Sequence, residues 1–217
     1  MRNVFKILFV LAFSLILFSC EKWYETADVS HESYLPEFTL VGGDFISITR
    51  QDSGEFDDPG VEARVNGTLV NVYYLYNYVD ITESGVYIVL YYAENPEGFS
   101  KTAERIVAVT EEDVSGNDLS GTYTGTNWDP VEVTVIKVNE KGLYKMDDVM
   151  GFPGFPMPGR FVDMGDGDLV LLHGEGYFGE YDASDGQYTQ RTLSWNVNLL
   201  TDPYKGYVIP VTWRKVE

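Results

Sequence analysis

Apolar and polar positions alternate most cleanly in the second half of the chain. Val131, Val133 and Val135 would lie on one side of a strand and Glu132 and Thr134 on the other, because successive side chains of a strand point to opposite faces. About eight such segments, separated by short turns, cover residues 121–126, 131–138, 143–147, 160–164, 169–172, 177–181, 188–199 and 207–215. The spacing predicts an up-and-down antiparallel β-barrel over residues 117–217, with space for a filled interior or for one small ligand.

The first half is also predicted to form strands. After Pro36, short runs of β-branched and aromatic residues are separated by clusters of Gly, Asp, Asn and Pro, without a sustained helical period. A polar, acidic run at 110–118 then separates this half from the second. The pattern therefore predicts two all-β domains, at 36–111 and 117–217, joined by a hinge.

Several motifs of the first half follow one another in a recognisable order: residues 38–43 (FTLVGG), 56–63 (FDDPGVEA), 84–93 (SGVYIVLYYA) and 105–109 (RIVAV). This order resembles the bacterial immunoglobulin-like domains related to the hyalin repeat, which are common on surface lipoproteins of Bacteroidetes. The opening of the second half, 118–125 (DLSGTYTG), resembles the first strand of lipocalin-like barrels in such lipoproteins. Together the resemblances imply an immunoglobulin-like (Ig-like) β-sandwich that acts as a spacer, followed by a lipocalin-like β-barrel of roughly eight strands.

The N-terminus predicts export and lipidation. Arg2 and Lys6 precede an apolar run at 7–18, and residues 17–20 (LFSC) resemble the bacterial lipobox. The run is too short to cross a membrane, which needs about 20 apolar residues. We therefore expect a signal peptide at 1–19, a lipid on Cys20 and a tether at 20–35. The expected location is the outer membrane, held through the lipid alone and exposed at the cell surface, with the periplasmic leaflet as the open alternative.

Charge restricts the partners of the mature chain. The net charge is −19, and removal of residues 1–19, which include Arg2 and Lys6 but no acid, takes it to −21. Nucleic-acid binding depends on Lys and Arg neutralising phosphates, so no nucleic-acid partner is expected. The charge favours solubility and self-repulsion.

Aromatic residues in or near turns are the candidate ligand contacts. The loop at 151–159 (GFPGFPMPG) contains three prolines and should hold its apolar side chains on a stiff backbone. The candidates are Trp128, Phe152, Phe155, Tyr177 and Trp195, of which Trp195 is the one most expected to lie in the core instead. The tyrosine-rich segment 71–78 offers a second aromatic surface, although we expect one of its faces to be core and the other a solvated ladder.

Catalytic and metal-binding signals are weak. The only histidine of the predicted domains is His173, and no cysteine follows Cys20, so the usual nucleophilic triads are not expected. Asp163, Asp166 and Asp168 could contact calcium, but a glycine-rich hairpin turn explains them more simply. We expect no enzyme activity and no cofactor. The leading function is non-catalytic binding of a glycan during its capture. The alternatives are a scaffold contacting neighbouring outer-membrane proteins and a lipocalin-like carrier of an apolar molecule.

Overall fold

The structure is a computed structural model that describes residues 32–128 and 130–216. This part of the chain contains sixteen β-strands and no α-helix, which confirms the all-β prediction. The strands are β1 (Glu37–Leu40), β2 (Phe45–Thr49), β3 (Val61–Val65), β4 (Thr68–Val70), β5 (Tyr73–Asn77), β6 (Gly85–Glu94), β7 (Ser100–Thr110), β8 (Gly121–Gly125), β9 (Glu132–Lys137), β10 (Leu143–Met146), β11 (Gly159–Gly165), β12 (Asp168–Leu171), β13 (Gly174–Gly176), β14 (Gly179–Tyr188), β15 (Thr192–Leu199) and β16 (Val208–Lys215). All of them lie in one compact unit, Leu35–Glu217.

The predicted signal peptide at 1–19, the lipidation site Cys20 and most of the predicted tether lie outside the described residues. A search of the described part finds no helix with the length and apolar character needed to span a membrane.

Strands β8 to β16 form a closed barrel. Neighbouring strands are hydrogen-bonded in the order β12-β11-β10-β9-β8-β16-β15-β14, and a pairing between β12 and β14 closes the ring. Short strand β13 pairs only with β14 and lies beside this ring of eight. The structure therefore confirms the predicted eight-stranded antiparallel barrel.

Large side chains fill the interior of the barrel. Trp195 and Trp213 lie there with stacked Tyr144 and Phe161, whose ring centroids are 5.2 Å apart. Valines, leucines and methionines from β9, β10, β12, β15 and β16 complete this core, while β8 contributes Tyr123 and β14 contributes Tyr181. A carrier of the lipocalin type needs an unfilled apolar interior, whereas these side chains occupy the inside of the described barrel.

The chain path differs from the sequence prediction around residues 177–199. We expected strands at 177–181 and 188–199, but β14 runs through Ser184, Asp185 and Gly186 to Tyr188, and β15 begins only at Thr192. Asp185 has a φ of 55°, and the register between β14 and β15 shifts between Ser184 and Gln187. This β-bulge lets a polar segment continue a strand, and such a segment lacks the alternation by which strands are predicted.

The first part of the unit consists of two sheets with a shared core. A three-stranded sheet has the order β1-β3-β4 and a four-stranded sheet the order β2-β7-β6-β5. Val89, Tyr91 and Val107 are buried between them, against Phe38 and Val61 from the smaller sheet. The predicted boundary at 111–117 falls between the last strand of this sandwich and the first of the barrel.

Strand β5 contradicts the expectation for the tyrosine-rich segment. All five of its residues are exposed, including Tyr73, Tyr74 and Tyr76. Strand β5 lies at the edge of the four-stranded sheet, and no other sheet of the described chain covers either of its faces.

The sandwich packs against the outer wall of the barrel. Phe45, Ile106 and Ala108 from the sandwich form one buried cluster with outward-facing side chains of the barrel, which are Leu143, Val162, Met164 and Leu172. The predicted hinge takes part in this contact, since the Glu111 backbone N–H donates to the Met164 carbonyl at 2.8 Å. Asn117 also donates through Nδ2 to Asp163 Oδ2 at 2.8 Å.

Candidate functional site

Four connections of the barrel lie at the same end. In an up-and-down barrel, every second connection returns to one end of the ring. The connections β8–β9, β10–β11, β12–β14 and β15–β16 therefore meet there, and they comprise residues 126–131, 147–158, 172–178 and 200–207. Each of them carries at least one large aromatic residue.

These aromatic side chains form one connected surface, which we name the aromatic rim. Its members are Trp128, Phe152, Phe155, Tyr177, Phe178 and Tyr204. Their ring centroids are linked by the distances 5.4 Å for Trp128–Phe152, 5.7 Å for Phe152–Phe155, 4.3 Å for Phe155–Tyr177, 5.1 Å for Tyr177–Phe178 and 5.1 Å for Phe178–Tyr204. Since the contacts join residues from all four connections, the rim crosses the whole end of the barrel.

The rim is open to solvent. Tyr177 is 64% exposed, Tyr204 39%, Trp128 38% and Phe152 37%, while Phe155 is half-buried among them. Exposed apolar side chains are ordinary when isolated, but a contiguous patch of them marks a contact site. Such rings present flat faces that can stack on a ligand.

A type II β-turn explains how two phenylalanines come to lie side by side. In the sequence Phe152-Pro153-Gly154-Phe155, the Phe155 N–H donates to the Phe152 carbonyl at 3.1 Å. Proline favours the second position of this turn, and the third requires the positive φ that glycine adopts without strain. Gly154 has a φ of 81°. The turn thus holds both rings at its two ends.

Buried polar contacts fix the base of the same loop. Asp148, 3% exposed, accepts through Oδ1 the N–H groups of Met150 and Met157 at 2.9 and 3.1 Å. The Val149 N–H donates to the Met157 carbonyl at 2.8 Å, and this hydrogen bond joins the two ends of the loop. Because these bonds are shielded from water, they hold the loop more firmly than exposed ones would.

Two aromatic side chains of the barrel core donate hydrogen bonds to the backbone of this loop. Trp195 donates from Nε1 to the Val149 carbonyl at 2.7 Å, and Tyr181 donates from its hydroxyl to the Pro158 carbonyl at 2.7 Å. Burial, with the nearby Asp148 carboxylate, raises the pKa of Tyr181 to about 12. The phenol therefore remains protonated and can donate at neutral pH.

The structure brings four of the five predicted ligand contacts together in the rim. Trp195 is not among them, because it is 2% exposed and its ring lies 5.7 Å from Phe161 inside the barrel. Its role is to hold the loop that carries the rim. Sequence reasoning missed Phe178 and Tyr204, although each lies within a turn signal, Tyr177-Phe178-Gly179 and Asp202-Pro203-Tyr204.

The acidic turn has the geometry of a hairpin. Asp163 is fully buried, and its carboxylate accepts from the Gly165 N–H at 2.9 Å and from Asn117. Burial raises the pKa of Asp163. Asp166 and Asp168 are exposed. Within residues 32–128 and 130–216, no three His, Cys, Asp or Glu side chains are grouped as they would be to hold a metal ion.

No family model matches the chain, and no curated protein matches it. Among solved structures, the chain is similar to the crystal structure of the lipoprotein BT2262 from Bacteroides thetaiotaomicron. The two are 21% identical, the match covers 83% of this chain and 100% of that one, and the TM-score is 0.36. This similarity assigns neither a family nor a ligand.

Proposed function

We propose that this chain is a non-catalytic binding module that captures carbohydrate at the aromatic rim. The observation that supports the proposal is the rim itself, in which six aromatic side chains from four connections form one connected surface with four of them exposed. Sugar rings have apolar C–H faces that stack on aromatic side chains, while their hydroxyl groups stay hydrated. Binding of this kind does not depend on charge, so a protein with a net charge of −19 can bind a neutral glycan.

The preorganised loop supports the same proposal. A flexible aromatic loop would lose conformational entropy on binding, whereas the turn at residues 152–155 and the buried Asp148 contacts fix the rings beforehand. We infer that Phe155 is one of the central contacts, because its ring touches Phe152, Tyr177 and Phe178.

We further propose that Cys20 carries a lipid that anchors the chain to the outer membrane, with the domain at the cell surface. The support comes from the sequence at residues 1–20. In that setting the rim would reach glycans outside the cell, and the chain would not need a cofactor or a nucleic-acid partner.

A scaffold role is the second candidate, and the same rim favours it, since an exposed apolar patch also suits a protein partner. The two roles differ in what the rim binds. Aromatic residues contribute strongly to glycan binding and to protein binding alike. A rim substitution would therefore weaken both, and only the choice of ligand in the binding assay separates the two roles.

The test is binding of the chain from Glu21 onward to a panel of plant, host and microbial polysaccharides, measured by affinity electrophoresis and calorimetry. This chain retains the whole compact unit Leu35–Glu217. We expect a hit that Phe155→Ala and Trp128→Ala each weaken about tenfold, because truncating a central aromatic contact costs more than about 1 kcal/mol.

The matched control is Tyr78→Ala, an aromatic side chain that is 72% exposed on the sandwich. It should leave binding unchanged. Loss of binding in Tyr78→Ala but not in Phe155→Ala would place the site on the sandwich and refute the rim. A panel without any hit for the folded chain would favour the scaffold role.

A further inference from the structure

A groove with a basic character lies at the base of the loop that carries Phe152 and Phe155. Its volume is about 470 Å³, within the range of small-molecule sites. The polar side chains that line it are Lys145, Asp147, Arg160 and His173. Lys145 lies just before the loop and Arg160 just after it. We name this feature the basic groove.

Strand pairing places the two cations side by side. Lys145 on β10 and Arg160 on β11 are direct cross-strand partners. Lys145 points out of the barrel because its neighbours Tyr144 and Met146 are buried inside it. Like charges that face each other across a strand pair repel. This pair therefore destabilises the ligand-free protein, and an anion bound between the two cations would relieve the repulsion.

Neither of these cations forms an ion pair within residues 32–128 and 130–216. In the described part of the chain, ion pairs join Arg50, Arg64, Arg105 and Lys137 to carboxylates, and neither Lys145 nor Arg160 takes part in any of them. One carboxylate, that of Asp147, lines the groove, and its Oδ2 accepts the Thr134 N–H at 3.3 Å. Two unpaired cations beside each other are unexpected in a chain with a net charge of −19.

Two glycines lie in the wall of the groove. Gly159 and Gly174 line it, and a Cβ atom on Gly159 would lie 2.6 Å from the Tyr181 hydroxyl oxygen. A side chain at Gly174 would collide with the same ring. Both glycines therefore make space for the Tyr181 ring, which is fully buried beneath them.

We propose that the basic groove binds the carboxylate or sulfate group of an acidic glycan whose sugar rings stack on the aromatic rim. The inference rests on the proposed function, since the rim must hold the rings. Arg160 offers a planar fork of N–H donors that matches an oxyanion. Lys145 adds a second charge, and the His173 imidazole, exposed at the edge, adds a hydrogen-bonding group.

The probes are glucuronate, glucose and inorganic sulfate, each titrated into the isotope-labelled chain from Glu21 onward at low ionic strength. Glucose is the matched control for glucuronate because it differs only in carrying a hydroxymethyl group in place of the carboxylate. We expect glucuronate to give saturable NMR shifts at the backbone amides of Lys145, Arg160 and Gly174, and glucose to give none there. Arg160→Gln should weaken glucuronate binding about tenfold or more, since it removes charge-assisted hydrogen bonds.

Arg214→Gln provides the matched charge control. Arg214 is exposed on β16, which lies four strands away from β11 in the ring of eight, on the opposite wall. It should leave glucuronate binding unchanged, and Arg160→Lys should restore part of the lost affinity. Shifts that do not saturate, or an equal loss in Arg214→Gln, would overturn the inference.

The rim variant separates the possible sources of the anion. If Phe155→Ala weakens glucuronate binding and sulfate binds more weakly than glucuronate, the groove serves a glycan substituent. If sulfate binds as tightly and Phe155→Ala has no effect, the groove takes a free oxyanion and the glycan assignment is overturned. If neutral polysaccharides bind in a Phe155-dependent way while glucuronate leaves the groove amides unshifted, this inference fails and the proposed function stands.

Discussion

Replacing Arg105 with methionine should destabilise the chain more than any other single charge removal considered for the sandwich. Arg105 is fully buried on β7. It forms an ion pair through Nη1 with Asp58, and its Nη2 donates to the carbonyls of Val41 and Gly60 at 2.8 and 3.0 Å. Val41 follows β1 and Gly60 precedes β3, so one guanidinium connects the two sheets.

The expected loss follows from what remains after the substitution. Methionine fills most of the space of the arginine stem but supplies no donor, so Asp58, whose side chain is 6% exposed, keeps a buried charge without a cation. Breaking a buried pair in this way costs about 3–5 kcal/mol. The Gly60 N–H at 2.8 Å and the Tyr91 hydroxyl at 2.5 Å still donate to Asp58. We therefore expect the lower end, about 3 kcal/mol.

Equilibrium unfolding in urea measures this loss directly, and Arg64→Met is the control. Arg64 pairs with Glu62 at 3.1 Å in the same sandwich, but both side chains are about half exposed, and such pairs contribute at most about 1 kcal/mol. The double variant Arg105→Met with Asp58→Asn should regain part of the stability, because it removes the unpaired charge. A loss in Arg105→Met no larger than that in Arg64→Met would refute the reasoning.

Three further changes test the barrel. Trp195→Phe leaves the Val149 carbonyl without its donor and should lower the free energy of unfolding by about 1–3 kcal/mol, measured by urea unfolding; an unchanged midpoint would contradict it. Gly154→Ala and Gly98→Ala both place a Cβ at positive φ, with nothing within 4 Å, so each should cost about 1–2 kcal/mol; only the first should weaken polysaccharide binding, and equal binding by both variants would count against a preformed rim. Burial raises the pKa of Asp163, so its protonated form is favoured in the folded state. Its contribution is fully present below the unfolded-state pKa and is lost as pH rises through the folded-state pKa. Asp163→Asn should flatten this decline in unfolding curves recorded between pH about 3 and 7, and parallel curves for both proteins would show that Asp163 is not responsible.

The barrel was predictable because most of its strands alternate between residues that face the core and residues that face solvent. Val131, Val133 and Val135 reveal β9 in this way, and the short turns between such segments favour an up-and-down path. This alternation is absent in part of β14, because Asp185 and Gly186 belong to a β-bulge of small and polar residues. The sequence pattern therefore did not predict a strand there.

The candidate site was predictable only in part, because proximity in the rim depends on barrel closure. The two phenylalanines at 152 and 155 are marked by the proline-glycine turn between them. Phe178 and Tyr204 are single residues in separate loops, and nothing local shows that they meet at 5.1 Å. The same limit hides Lys145 and Arg160, since their pairing follows from the register of β10 and β11. It also hides Arg105, because composition does not show which charge becomes buried.

The apolar cluster on the outer wall of the barrel has a consequence for how the chain folds. Val162, Met164 and Leu172 point away from the barrel interior, and only Phe45, Ile106 and Ala108 of the sandwich are buried with them in this cluster. A barrel synthesised by itself would expose these side chains as an apolar patch along β11 and β12. Such a barrel would be prone to self-association. Each half thus covers apolar surface that the other would otherwise expose to water.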